Sequence, residues 1–269
     1  MKLRINGATY TGAVVDLRAR RVDGGAIAAS IRGDRSLPAV TCPDPPSVYG
    51  YAGHVHPAMG LRTRTALAAA ARSRGHETPQ DDAIANRQVR LSEFDPSPPD
   101  LIESAEPVTE STITELREAV ATHRGRLTAR RKVGADLDGA RGDLEAAATK
   151  LSEQETQRTA ATETRELRRE TARDYRDTLE KRRRLSDELA NLRRTARATL
   201  VDRFADEFAA AVQSVPGPTP DDHFNDDPVT AALAVLQIAR TPAPVVLETS
   251  RFDSPAAASD CLNAPIIRC

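Results

Sequence analysis

At 269 residues and 39% apolar content the chain can hold one or two domains, but aromatics are 3% and Trp is absent, so its cores must be built from Ala, Val, Leu and Ile. A net charge of −1 excludes whole-protein attraction to nucleic acid or an anionic membrane, leaving only local contacts. Cys42, Cys261 and Cys269 form no even disulfide set, the amino terminus has no apolar signal segment, and no apolar run reaches the roughly 18 residues of a spanning helix. These features predict a cytoplasmic protein with reduced thiols and no membrane contact.

The chain opens as a hairpin, because Asn6-Gly7 suits a tight turn between Leu3-Arg4-Ile5 and a second strand from Thr9 to Leu17. Asp23 can cap a helix through Ile27 and Ile31 that stops at Gly33, and Ala39 to Cys42 reads as a strand halted by Pro43. Pro45 to Gly60, rich in Tyr, His and Gly, is expected to be loop. Two helices follow. One runs from Thr63 to Arg74, before Gly75; the other is opened by Thr78-Pro79 and runs to about Phe94. Pro96, Pro98 and Pro99 then form a stiff exit.

From Glu110 to Val215 there is no proline, and the pattern is that of a coiled coil. On a heptad register starting at Ile113, the a and d sites are Ile113, Leu116, Val120, His123, Leu127, Arg130, Gly134, Leu137, Arg141, Leu144, Ala148 and Leu151. The seam resumes as Leu185, Leu189, Leu192, Ala196 and Leu200, then broadens into Phe204, Phe208 and Val212, as expected where a helix enters a globular core. Apolar spacing fails between Glu155 and Glu166, and the hairpin tip is placed there because the two arms then match in length. The rival tip is Gly134 to Gly142, where three glycines weaken the helix. A parallel homodimer with an uninterrupted helix is the alternative assembly.

Pro216 to Asp227 reads as an exposed linker, and Asp227-Pro228 opens a helix through Leu233, Leu236 and Ile238. Pro244 to Glu248 reads as a buried strand, Ser254 to Leu262 as a helix and Pro265 to Arg268 as a last strand, which together suggest a parallel βαβ unit. The expected fold is therefore mixed α/β and helix-dominated. A small head is built from both chain ends (1–100 and 227–269), with a long antiparallel coiled-coil hairpin (110–215) inserted.

Motifs for catalysis are weak. A head split by a helical hairpin resembles the chromosome-maintenance ATPases, and Val245 to Glu248 resembles their metal-binding strand. However, none of Lys2, Lys132, Lys150 and Lys181 follows a glycine, so no phosphate-cradling loop exists. No nucleophile elbow occurs either. Cys42, His54 and His56 offer thiolate and imidazole for zinc, but structural zinc takes four ligands, and a buried cysteine beside two surface histidines accounts for the same residues. His123 at a d site is a seam defect or a buried titrating group.

The most informative charge pattern lies in the helices. Ala119 to Val133 contains no acid but carries Arg124, Arg126, Arg130, Arg131 and Lys132; Leu189 to Val201 contains none but carries Arg193, Arg194 and Arg197. A tip near Ala161 would set these stretches side by side as a cationic band able to contact phosphates; a solvated face is the plainer interpretation. Cys42-Pro43, the helix Ala66 to Arg74, the Arg/Glu/Ala-rich helices and Asp227 to Val235 resemble a haloarchaeal coiled-coil family with no assigned activity, a resemblance that carries over no functional residue. The expectation is a non-enzymatic scaffold with no cofactor. It would bind a protein partner through the coiled coil and contact nucleic acid through the arginines. The alternative is a metal-dependent regulator or enzyme using the Cys42, His54 and His56 loop.

Overall fold

The computed structural model describes residues 1–5, 7–20, 22–33, 38–94, 97–99, 108–218, 223–224 and 227–269. The chain divides into an α/β unit, Met1–Val89 with Asp187–Cys269, and a helical unit, Arg90–Ser186.

In the α/β unit, β1 (Lys2–Ile5) lies between β2 (Ala8–Thr11) and β4 (Ala39–Thr41) in a three-stranded antiparallel sheet. Ile5 pairs with Ala8 and Gly7 has φ +78°; Asn6, the other residue of the predicted turn, lies outside the described residues. The predicted second strand does not run unbroken to Leu17. It stops at Thr11, Gly12 takes φ +128°, and β3 (Val14–Asp16) crosses into a second sheet. A glycine is needed at that break because a side chain at this φ is strained.

The second sheet is parallel, in the order β3, β7 (Ile266–Arg268), β6 (Val245–Leu247), β5 (His54–Val55). Two of its strands come from each end of the chain. The parallel pairing of β6 and β7 across α8 (Pro255–Leu262) agrees with the βαβ expectation. The stretch Pro45 to Gly60 is not all loop: it holds α2 (Tyr49–Ala52) and β5.

Helices cover both faces of this sheet, as alternation along β6 shows. Val245 and Leu247 pack with α3 (Thr63–Ser73), α7 (Pro228–Ile238) and α8, whereas Val246 packs with Ile27, Ala28 and Ile31 of α1 (Gly24–Ile31). Asp23 caps α1 by accepting from the Gly25 N–H, and Asp227 caps α7 by accepting from the Thr230 N–H. Helix α7 is buried all round, from Val229 to Leu236, which explains why its sequence lacks a polar face. The predicted Thr78 cap is reversed. Asp81, first residue of α4 (Asp81–Ser92), accepts from both the N–H and the hydroxyl of Thr78.

The helical unit holds α5 (Glu110–Lys132) and the first part of α6 (Asp138–Ser214). Here the preferred tip is corrected. Helix α6 runs unbroken through Glu155 to Glu166, and the chain reverses at Val133 to Leu137. Gly134 sits at φ +66° and the Ala135 N–H donates to the Arg130 carbonyl, the six-to-one bond of a glycine-terminated helix. Antiparallel pairing follows from Arg117 with Glu155, Glu110 with Arg158, and His123 near Asp143 at 4.0 Å.

The predicted seam holds along α5, where Ile113 is buried and Leu116, Val120, His123 and Leu127 are partly so. Beyond the turn it slips by one residue, to Leu137, Ala140, Leu144, Ala147 and Leu151, leaving Arg141 and Ala148 exposed. From Asp187 onward α6 belongs to the α/β unit, where Leu200, Val201, Phe204 and Phe208 enter the core as the widening apolar stripe requires. Pro96, and Thr219 to Asp222 with Asn225 and Asp226 of the predicted linker, lie outside the described residues.

Candidate nucleic-acid interface

Helix α3 buries Ala66, Leu67, Ala70 and Ala71, which leaves the residues that start it, Arg62 and Arg64, exposed. Helix α6 buries Ala196, Leu200 and Val201, while Arg193, Arg194 and Arg197, on the neighbouring turns, stay exposed. Arg62 and Arg64 meet Arg194 and Arg197 at a cavity of about 510 Å³, lined also by Asp202 and Phe224. The first turn of α3 has neither a side-chain cap nor an acid, so its positive dipole end adds to the four guanidinium groups. Asp202 is the acid among the described lining residues.

Two of the arginines are held in place. The Arg64 guanidinium lies 4.5 Å from the Phe224 ring centroid, and Phe224 stacks on Phe208 at 5.3 Å, while Arg194 donates to the Asn191 side-chain oxygen at 3.0 Å. Arg197 also lines a neighbouring cavity of about 600 Å³ with Arg193 and Arg72. There the Arg72 charge is met by Asp81, at 2.6 and 2.9 Å, and that arginine holds the Asp81 carboxyl well below the ordinary carboxylate range. The arrangement can hold phosphate oxygens against several guanidinium forks beside an aromatic ring.

Arg194 and Arg197 share a cavity with Arg62 and Arg64, whereas Arg193 lines the neighbouring cavity with Arg197 and Arg72. Arg124, Arg126, Arg130, Arg131 and Lys132 are exposed on a helix paired with the first turns of α6, so the register that would set them beside Leu189 to Val201 is not formed. Arg130 instead donates to the Asp136 carbonyl at the turn. Arg62 and Arg64 escaped the sequence analysis, although basic residues at a helix start, where acids are favoured, were a readable signal.

Cys42, His54 and His56 do not converge. The histidine rings meet at a 37° tilt with centroids 4.7 Å apart, and His54 Nε2 stands 3.5 Å from Glu248 Oε1. Burial lowers the His54 pKa, and Glu248 only partly opposes it. Cys42 packs against the core around Leu3 and Val15, where burial pushes its thiol pKa up. Among the described residues no group of three or more His, Cys, Asp or Glu can hold a metal ion. No helix among them is long and apolar enough to cross a membrane.

No curated protein and no solved structure matches the chain. A family model does match residues 12–266, nearly the whole length, and the chain belongs to that family, a family of unknown function, DUF7856.

Proposed function

We propose that the protein is a non-enzymatic scaffold that contacts nucleic-acid phosphates through Arg62, Arg64, Arg194 and Arg197, its α5–α6 hairpin acting as a coiled-coil arm for a protein partner. The observation that carries this reading is the convergence of four guanidinium groups and an uncapped helix start on one cavity with a single acid among its described lining residues. Exposed arginines each contribute little in water, so affinity must come from their number and must fall with salt.

Binding of a fluorescent duplex oligonucleotide, followed by anisotropy across a salt series, tests it. Three to four phosphate contacts give a slope of log K against log salt of about −3. Arg194→Glu with Arg197→Glu should flatten that slope by about 2, whereas Arg130→Glu with Arg131→Glu on α5 should leave it unchanged. Equal loss from both pairs, or loss from the α5 pair alone, would refute this location. No binding at low salt would refute nucleic acid as the partner.

A further inference from the structure

The parallel sheet has a second place where chemistry can be held, at its carboxyl edge. After β3 the chain turns to α1 on one face of the sheet, and after β6 it turns to α8 on the other. Between these two strands stands β7, so the loops part directly above its end, at Arg268 and Cys269. A crevice of this kind, where connections leave to opposite faces, is the usual ligand position of open α/β sheets. Here it is a cavity of about 520 Å³, within the usual size of a small-molecule pocket, lined by Arg18, Asp227, Glu248, Arg251, Arg268 and Cys269 among others.

Most of the charges around it are already matched. Arg18 pairs with Asp16 at 2.7 Å, and Arg251 with Asp227 at 2.6 Å. Glu248 accepts from the Gly24 N–H at 2.8 Å and faces His54. Arg268 is different. It is 4% exposed, yet its Nη1 is buried with no hydrogen-bond partner among the described residues. A buried cationic N–H without a hydrogen-bond partner carries a desolvation cost, and an anion in the cavity would lower it.

We propose that this crevice binds a small phosphate-bearing molecule, its phosphoryl oxygens bonded to Arg268 Nη1 beside Arg18, Arg251 and the Thr249-Ser250 loop. Phosphate is favoured over carboxylate because three guanidinium groups line the cavity, and a tetrahedral dianion can engage more than one of them. This site is distinct from the α3–α6 interface and does not depend on it.

Thermal unfolding of the full-length protein, with inorganic phosphate or acetate added at constant ionic strength, provides the test. Phosphate should raise the midpoint in proportion to the logarithm of its concentration, both in the wild type and in Arg194→Glu/Arg197→Glu, and more than acetate does. The shift should vanish in Arg268→Met. In Ser250→Asp, an exposed lining position that receives a negative charge, the phosphate concentration needed should rise at least tenfold. If Arg268→Met does not fold, Ser250→Asp decides. The proposal falls if the wild type shows no phosphate shift, if the shift survives both variants, or if it disappears only in Arg194→Glu/Arg197→Glu. An acetate shift equal to that of phosphate overturns the phosphate assignment.

Discussion

Replacing Asp227 with Ala removes three bonds at once, because one carboxylate oxygen accepts from the Thr230 N–H at 2.9 Å, the Thr230 hydroxyl at 2.9 Å and Arg251 Nη2 at 2.6 Å. Losing the cap of α7 costs about 1 kcal/mol. Leaving Arg251 without its carboxylate costs more than a surface pair would, since the two side chains are only 23% and 31% exposed. The cost stays below that of a fully buried charge, because Arg251 keeps the Thr230 hydroxyl and the Pro216 carbonyl. About 1–1.5 kcal/mol is reasonable for this second part, which makes the total about 2–2.5 kcal/mol.

Asp227→Asn keeps a capping oxygen and loses only the charge, so it should cost about 1 kcal/mol less than Asp227→Ala. Urea unfolding followed by circular dichroism measures both, and a double-mutant cycle with Arg251→Met isolates the pair at about 1 kcal/mol. A loss under about 0.5 kcal/mol for Asp227→Ala, or no coupling to Arg251, would show that this network does not hold α7 to the loop after β6.

Three further outcomes follow from the same packing. Gly53→Ala should destabilise by about 3 kcal/mol in urea titration, because a new Cβ would meet three ring carbons of Tyr49 at 2.5–2.6 Å and that ring, 2% exposed, has nowhere to move. Tyr49→Phe should raise stability by about 1 kcal/mol, since the buried Tyr49 hydroxyl has no hydrogen-bond partner among the described residues; a loss would mean that the hydroxyl is satisfied. Stability should also fall in acid. The bond from Arg72 is the main cause holding the Asp81 carboxyl down, and at Asp227 burial pulls upward but is outweighed by the bonds from Thr230 and Arg251. Both folded pKa values therefore lie below the unfolded value of about 3.9, so their stabilisation is complete above that pH and is lost as pH drops through the folded values. Asp81→Asn with Asp227→Asn should shrink this acid-dependent loss in a pH series of unfolding midpoints, and an unchanged pH profile would contradict it.

Elements governed by local chemistry were legible in the sequence. Asp23 before Gly24, Asp227-Pro228 before an apolar run, and Ser254-Pro255 before another each announce a helix, because a cap and its N–H partner lie within three residues. The α3–α6 interface was half legible. The acid-free run holding Arg193, Arg194 and Arg197 could be read directly, while its partners Arg62 and Arg64 lie more than a hundred residues earlier. The hairpin tip was misplaced because a heptad pattern extends across the turn almost unbroken. Only the pairing of α5 with α6 shows that the seam slips from Arg141 to Ala140.

By itself, then, the sequence determined the capped helices and the βαβ unit at the carboxyl end, since short-range bonds and apolar periodicity specify them. Tertiary structure decided the rest. His54 and Val55 form a strand only because β6 lies alongside, and Gly12 breaks a strand only because β3 must reach β7. Arg268 reads in sequence as the last residue of a strand. Its buried Nη1, without a hydrogen-bond partner among the described residues, acquires meaning only where the loops after β3 and β6 part above it, an arrangement set by contacts between residues some 250 positions apart in the chain.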